Sequence, residues 1–318
     1  MTRLDPAILA RHHRRNRLQT IGVLAGIGAW MALVGCLLAG VPGVVWALAG
    51  TGLLLLIQPV RSPLVLRAMF GARLLNPAEA PGLSRLVAGL ADRAGLSRVP
   101  PLMLIPRSEM VALSIGNGSD AVVAVSGGLV AELPPRELAA VLAHEISHLR
   151  HGDLRILRLA EAAGRLTRFL ALFGVLSTVL YLPAALALGV GTPPPLALLL
   201  LVAAPAASDL LTLKLSRTRE FEADFGAAEL TGDPEGLILA LRHIERLQGN
   251  GWESLMRGPS WLALIRTHPT TAQRLARLEE LAPPPRPNWT LPTDVLLLPG
   301  LHRPAARERR RWPRGPWG

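Results

Sequence analysis

Cysteine and aromatic residues are scarce in this chain of 318 residues. The single cysteine, Cys36, lies inside an apolar segment, so no disulfide can form within one chain. This suits a protein whose working part faces a reducing compartment such as the cytoplasm. Aromatic residues make up 4% of the chain. No basic run alternates with rings on which bases could stack, which argues against nucleic acid as a partner.

Charged residues are outnumbered by apolar ones. Half of the chain is hydrophobic, and the mean hydropathy is positive, which is too apolar for an ordinary soluble enzyme. The net charge is +11, and almost all of the positive charge is arginine. The length is sufficient for about two ordinary domains.

Four apolar segments, at about 20–39, 41–57, 169–190 and 196–213, predict transmembrane helices. Each approaches the roughly 20 residues that cross a bilayer core of about 30 Å. The alternative is a set of buried core helices, and the second and fourth segments are short enough to keep it open. The segments form two pairs, each joined by a tight uncharged turn, at 40–43 and 189–195. We therefore expect four transmembrane helices in two hairpins.

Basic residues flank the outer ends of both pairs. They are Arg11, Arg14, Arg15, Arg17, Arg61, Arg67, Arg73, Arg155, Arg158, Arg165, Arg168, Lys214, Arg217 and Arg219. Positive flanks mark the cytoplasmic side of membrane helices. This predicts a multi-pass protein of the cell (inner) membrane whose N-terminus, active site and C-terminus are cytoplasmic. The first segment is too long for a cleaved signal peptide, and a second apolar segment follows at once.

Residues 144–148 read His-Glu-Ile-Ser-His, the H-E-x-x-H pattern. On a helix, His144 and His148 lie on one face and can hold one Zn²⁺ together, while Glu145 can take a proton from water as a general base. A chance match is the alternative, because the pattern fixes three positions of five. Apolar residues at helical spacing and the prolines at 134–135 support a helix here.

The regions around this helix predict an α+β fold that is mainly helical, with a small β-sheet. A helix is expected at 83–94, and strands at 101–106, 111–115 and 121–125, with a hairpin turn at 116–119. Further helices are expected at 216–230, 234–248 and 270–281. The Pro/Arg-rich tail from 283 onward is predicted to be disordered, either solvated or in contact with anionic lipid.

A catalytic zinc usually has three protein ligands, so a third is needed. Glu220 and Asp224 are four residues apart and share a helical face, whereas Glu222 points elsewhere. Glu220 is the best candidate on spacing, although a solvated, charged helix start would show the same pattern. Histidine and carboxylate ligands also suit other divalent metals.

The chain resembles the membrane-bound M48 metallopeptidases, in particular the HtpX-like proteases, and more distantly the CaaX prenyl endopeptidases. The resemblance rests on three segments, 141–153, 216–224 and 268–270, in this order along the chain. It implies a zincin-like (gluzincin) fold. One departure is the strand before the site helix, where many relatives carry Asn-Ala-Phe and this chain has Val111-Ala112-Leu113.

The resemblance also implies roles for individual residues. Glu220 would be the third zinc ligand, and Asp224 would accept a hydrogen bond from a ligand imidazole. His268 would donate to the developing oxyanion; the alternative is a surface histidine before a helix. Arg274 is either a residue that supports the site or a solvated one. His151 is expected to be a helix-end residue rather than a ligand, and Asp209 is either functional or in contact with interfacial water.

The domain organisation expected from these features has five parts. They are a basic arm with hairpin 1 (1–59), the first catalytic part (60–167), hairpin 2 (168–214), the second catalytic part (215–284) and the tail (285–318). The expected function is zinc-dependent endoproteolysis of membrane proteins on the cytoplasmic side, in protein quality control and the stress response. One Zn²⁺ per chain would be the cofactor. The alternatives are a processing or signalling peptidase with one target, and a non-catalytic zinc-containing scaffold.

Overall fold

The computed structural model describes residues 6–56, 62–116, 118–189, 194–248 and 270–281. Their elements, in chain order, are α1 (Pro6–Leu56), α2 (Ser62–Phe70), β1 (Arg73–Leu74), α3 (Pro81–Arg93), β2 (Leu102–Ile105), β3 (Ala112–Ile115), β4 (Val122–Ser126), α4 (Gly127–Glu132), α5 (Pro135–His151), α6 (Asp153–Leu188), α7 (Pro195–Thr231), α8 (Pro234–Gln248) and α9 (Thr271–Glu279). The chain is mainly helical with a small mixed sheet, which confirms this part of the prediction.

Among the described residues, three helices are long and apolar enough to cross a membrane, and they belong to α1, α6 and α7. Many of their large apolar side chains are exposed, including Trp46, Phe169, Leu180 and Leu199. A soluble protein rarely exposes so much contiguous apolar surface, so these faces suit contact with lipid. The described parts of the four predicted apolar segments thus lie within three helices.

The helix α1 contains both of the first two apolar segments and folds back on itself. Its backbone leaves the helical conformation at Ala39 and at Gly40, where φ is 61°. The Thr51 hydroxyl lies 3.3 Å from the Met31 sulfur, whereas 20 residues of straight helix would separate them by about 30 Å. α1 therefore has two arms, and their backbones approach so closely that a Cβ on Gly35 would lie 2.5 Å from the Gly43 carbonyl oxygen.

The sheet has the strand order β1-β2-β4-β3, with β2 and β4 parallel and the other pairs antiparallel. It confirms the three predicted strands, while the two-residue β1 was not predicted. Alternate side chains of β4 pack on opposite faces. Val123 and Val125 join the core formed with α3 and α5, and Val122 and Ala124 pack with Leu66 of α2. Within the described residues, β3 is an edge strand beside α5.

The helix α5 runs from Pro135 to His151 and is capped by Gly152, which has a left-handed φ of 64°. Proline suits the first helical position, and glycine suits a left-handed cap. Leu138, Leu142 and Ile146 are fully buried in the core. One face of α5 is thus fixed by packing, and the position of its polar face is fixed with it. α6 begins at the next residue and includes the basic stretch before hairpin 2.

The helix α7 corrects one expectation. A membrane segment ending near 213 and a separate helix from 216 were predicted, but α7 runs without a break from Pro195 to Thr231. The charged residues that suggested a boundary include Arg219 and Glu220, which are buried against neighbouring helices. α7 instead ends at Thr231 and is capped by Gly232, whose φ is 67°.

Candidate metal centre

His144 and His148 are four residues apart on α5, and this spacing brings their imidazoles together. The Nε2 atoms of His144 and His148 are 3.2 Å apart, and the rings meet edge to face with centroids 4.7 Å apart. The two side chains are largely buried. Their Nε2 lone pairs can therefore be directed at one common point.

Glu220 reaches the same point from α7. Its carboxylate oxygens lie 3.5 Å from His144 Nε2 and 3.6 Å from His148 Nε2. The ligand atoms of the three residues all lie within 4.8 Å of one another. Across a tetrahedral zinc with bonds of about 2.0–2.1 Å, two ligand atoms are roughly 3.3 Å apart. The distances and the donor types therefore fit a metal of this kind.

Each histidine turns its other ring nitrogen to a carboxylate. His144 Nδ1 lies 3.0 Å from Asp224 Oδ1, and His148 Nδ1 lies 2.7 Å from Asp153 Oδ2. A carboxylate there accepts a hydrogen bond from Nδ1–H, which leaves the Nε2 lone pair for a metal. The structure thus places Asp224 beside His144, where the family resemblance would have it accept a hydrogen bond.

Asp153 was not predicted as part of the site. It follows Gly152, whose left-handed conformation reverses the chain after α5 and returns Asp153 to His148. Its carboxylate also accepts a hydrogen bond of 2.5 Å from Arg219 Nε, so a buried cation supports it. The sequence did contain a signal for this position. His151-Gly152-Asp153 stands at the end of the site helix, and its glycine is the residue that commonly ends a helix and turns the chain.

Arg274 of α9 belongs to the site rather than to solvent. Its Nε donates to Asp224 Oδ2 at 2.8 Å, and its Nη2 donates to Asp224 Oδ1. Nη2 also lies 3.4 Å from His144 Nδ1. Burial lowers the pKa of Arg274, but Asp224 outweighs this effect and raises the pKa above its usual range. α9 thus holds the carboxylate that orients His144.

The carboxylates raise the affinity of both imidazoles for protons. Burial acts to lower the pKa of His144, but hydrogen bonds to Asp224 and Glu220 outweigh it and raise the pKa to about 9. The pKa of His148 is raised for the same reason, with Asp153 opposing the effect of burial. A metal that binds here must therefore displace protons near neutral pH.

Glu145 is buried next to the two histidines, and its Oε2 accepts a hydrogen bond of 2.9 Å from the Ser114 hydroxyl of β3. The remaining acidic residue of the third-ligand segment, Glu222, faces away from the metal ligands. Its Oε2 accepts a hydrogen bond of 2.8 Å from Asn16 of α1, and its Oε1 contacts His13. The N-terminal arm therefore packs against the helix that carries Glu220.

Three further residues were candidates for the site. His268 lies outside the described residues, so its role stays a prediction. The Nδ1 atom of His151 lies 2.9 Å from the Ser147 carbonyl oxygen, and His151 is not in the ligand cluster. Asp209 accepts a hydrogen bond of 2.6 Å from Arg168, so this ion pair joins α6 to α7.

Comparison with known proteins assigns the family. The model of peptidase family M48 matches residues 77–282. The chain is 35% identical over 287 residues to the protease HtpX homolog of Salinibacter ruber, covering 84% of this chain and 98% of that protein. It is 36% identical over 299 residues to the protease HtpX homolog of Kineococcus radiotolerans, covering 86% and 98%. A crystal structure of S. mikatae Ste24p is similar with a TM-score of 0.45 and 18% identity, covering 84% of this chain and 66% of that chain.

The long apolar helices, the His-His-Glu cluster and the two HtpX homologs identify the chain as a membrane metalloprotease. The chain belongs to peptidase family M48. The matched region contains Glu145, both histidines and Glu220, together with the carboxylates and arginines that support them.

Proposed function

We propose that this chain is a zinc-dependent endopeptidase of a cell membrane, with Zn²⁺ held by His144, His148 and Glu220. The observation that carries the proposal is the convergence of two Nε2 atoms and one carboxylate, with distances of 3.2, 3.5 and 3.6 Å between them. A cluster of buried ionisable groups of this kind is costly unless it is used. Zinc, the metal that we propose for this cluster, is the metal typical of family M48.

Glu145 is the general base in this proposal. Its carboxylate accepts a proton from the attacking water and then delivers it to the leaving amine. When bound, zinc supplies a Lewis acid that polarises the scissile carbonyl and acidifies the attacking water. Asp224 and Asp153 keep the two imidazoles in the required tautomer. His268 stays a prediction as a donor to the oxyanion.

The edge strand β3 supports an extended polypeptide as the substrate. An open strand edge binds a peptide mainly through backbone hydrogen bonds, which are the same for every sequence. The departure at Val111-Ala112-Leu113 does not affect this backbone role. Recognition of backbone suits broad cleavage of damaged or unassembled membrane proteins, which is the quality-control function that we propose. A comparison of fragments across a proteome would instead find one cleaved protein if the enzyme were a dedicated processing peptidase.

Four membrane crossings and a cytoplasmic active site complete the proposal. The two arms of α1 supply two crossings, and α6 and α7 supply the others. The arm that carries Arg11, Arg14, Arg15 and Arg17 contacts Glu222, two residues from Glu220. The basic flank and the metal ligands are thus at the same end of the hairpins, and basic flanks face the cytoplasm.

The test compares Glu145→Gln with Glu137→Gln in detergent-purified protein. Both residues are on α5, but Glu137 contacts His243 at 2.9 Å, at the end of the helix away from the ligands. We expect Glu145→Gln to keep about one zinc per chain while casein cleavage falls on the order of 10²- to 10⁴-fold. Glu137→Gln should cleave normally, and His144→Ala should lose both zinc and cleavage. Equal cleavage by the two glutamine variants would contradict the proposed mechanism. The scaffold alternative predicts instead that the wild type does not cleave casein, that Glu145 is dispensable and that His144 is needed for assembly.

A further inference from the structure

Ser114 is a polar residue on the face of an apolar strand that packs toward a helix. Side chains alternate along β3. Ala112 packs with the core that contains α5, whereas Leu113 and Ile115 pack with the core on the other face of the sheet. Ser114 therefore shares the α5 side with Ala112, and it is 9% exposed. An apolar residue would be expected at such a position.

A buried hydroxyl costs stability unless it has a hydrogen-bond partner. The partner of Ser114 is the Oε2 atom of Glu145, at 2.9 Å, and Glu145 is itself buried. The sheet register holds the hydroxyl in place, since Ser114 lies opposite Val123 in the antiparallel β3–β4 pair. A fixed donor on a strand thus faces a side chain with three rotatable bonds on a helix.

We propose that Ser114 is a positioning residue that anchors one oxygen of Glu145 and so aims the other oxygen at the attacking water. This inference rests on the proposed function, because it assigns Glu145 as the general base. A carboxylate has two oxygens, and a hydrogen bond to Oε2 limits rotation about the last bond of the side chain. Oε1 then keeps one orientation without losing its freedom to accept a proton. Precise orientation matters because an error of about 1 Å in an active site can cost about 100-fold in rate.

The competing interpretation is that the hydrogen bond only satisfies two buried polar groups. The chain offers a matched control in Ser126, a fully buried serine in the neighbouring strand β4. Its hydroxyl accepts hydrogen bonds from the backbone N–H groups of Val111 and Leu129, at 2.9 and 3.1 Å. Loss of either hydroxyl removes a buried hydrogen bond, but only the loss at Ser114 affects Glu145.

The experiment measures peptide cleavage by Ser114→Ala, Ser114→Thr and Ser126→Ala as purified full-length proteins. We expect kcat of Ser114→Ala to fall about 10- to 100-fold with little change in KM. Zinc content should stay at that of the wild type, and Ser114→Thr, which keeps the hydroxyl, should recover most of the rate. Ser126→Ala should lower the unfolding temperature without this loss of kcat. A kcat of Ser114→Ala within twofold of wild type would overturn the proposal.

Two further measurements distinguish a positioning role of Ser114 from a purely structural role. In a Glu145→Gln background, Ser114→Ala should have almost no further effect on the residual rate, because Ser114 acts through Glu145. A peptidyl hydroxamate, whose hydroxyl proton passes to a nearby carboxylate, should bind Ser114→Ala about 10-fold more weakly than Ser126→Ala. Equal hydroxamate affinity, or a full additional loss in the double variant, would show a structural role only. A wild-type protein without cleavage, or an active Glu145→Gln, would instead refute the proposed function itself.

Discussion

At the scale of single residues, the site consists of buried ionisable side chains that pair acidic with basic groups. Two imidazoles, Glu220 and Glu145 share it with Asp153 and Asp224, and the guanidinium groups of Arg219 and Arg274 balance the two aspartates. The H-E-x-x-H pattern pointed to the two histidines and Glu145, whereas spacing made Glu220 only the best candidate for a third ligand and the role of Asp224 came from the family resemblance. Asp153 and Arg219 were not found, because their partnership spans 66 residues and depends on the turn at Gly152.

The raised pKa of His144 predicts that zinc affinity depends on pH. In metal-free protein this pKa is about 9, above the ordinary 6.5, so the imidazole holds a proton at neutral pH. Because zinc and the proton compete, affinity should rise between pH 6.5 and about 9. The proton contributes stability to the metal-free fold that is fully present below pH 6.5 and is lost as pH rises through about 9. Competition titrations against a chromophoric chelator measure the affinity, and a flat profile would contradict this prediction.

Asp153→Asn should weaken zinc binding by about 10- to 100-fold, because His148 loses the carboxylate that orients its ring. The variant also leaves the buried Arg219 without its anionic partner, so the unfolding temperature should fall. Asp209→Asn is the control, since Asp209 forms an exposed ion pair with Arg168. Isothermal titration of both metal-free variants with zinc gives the comparison. The same affinity in both would show that Asp153 does not support the ligand.

At the scale of elements, the site depends on how closely α5 and α7 approach. Gly226 of α7 faces Ser147 of α5, and a Cβ on Gly226 would lie 2.0 Å from the Ser147 hydroxyl oxygen and 2.9 Å from its Cβ. No larger residue fits without moving one helix. Glu220 is less than two turns away on α7, so this contact helps set the distance from Glu220 to the histidines.

Gly226→Ala should therefore lower both stability and zinc affinity. Overpacking of this kind costs about 1–3 kcal/mol, and a shift of α7 moves the third ligand. Gly28→Ala is a matched control, since a Cβ on Gly28 would meet nothing within 4 Å, and it should stay within about 1 kcal/mol of wild type. Thermal unfolding in detergent and zinc titration provide the two measurements. Normal zinc binding by Gly226→Ala would mean that the helices can separate without disturbing the site.

Some helices and strands could be predicted from the sequence and others could not, for physical reasons. α5 and the strands of the small sheet follow from local signals, which are apolar spacing, proline at a helix start and glycine at turns. The continuity of α7 does not follow from such signals. Lys214 to Glu222 looks like a solvated boundary in sequence, but contacts from α1, α5 and α6 bury much of it. Those contacts come from residues as distant as Asn16, and no local pattern reports them.

At the scale of the whole molecule, the N-terminal arm and the metal site share one end of the hairpins. Asn16 and Glu222 are 206 residues apart and lie 2.8 Å from each other. The exposed turn of α1, which includes Val41, is separated from that arm by the length of the hairpin. The two ends should therefore face opposite sides of the membrane.

Labelling with a membrane-impermeant maleimide tests this arrangement. The native Cys36 is first replaced by serine, and single cysteines are then introduced as Val41→Cys or Arg98→Cys, both at exposed positions. In intact bacterial spheroplasts, Val41→Cys should react and Arg98→Cys should not. Both should react after permeabilisation. Labelling of Arg98→Cys in intact spheroplasts would place the catalytic part outside the cytoplasm.

The two imidazoles lie on α5, before α6 and α7 in the chain, whereas the carboxylate that approaches them lies in the C-terminal part of α7. A nascent polypeptide that has left the ribosome only as far as α6 thus carries two of the three proposed metal ligands. In the proposed topology, the metal site would be complete only after α7 has been synthesised and has crossed back through the bilayer. We therefore expect a chain that is still being synthesised to be inactive as a protease until its third ligand is in place.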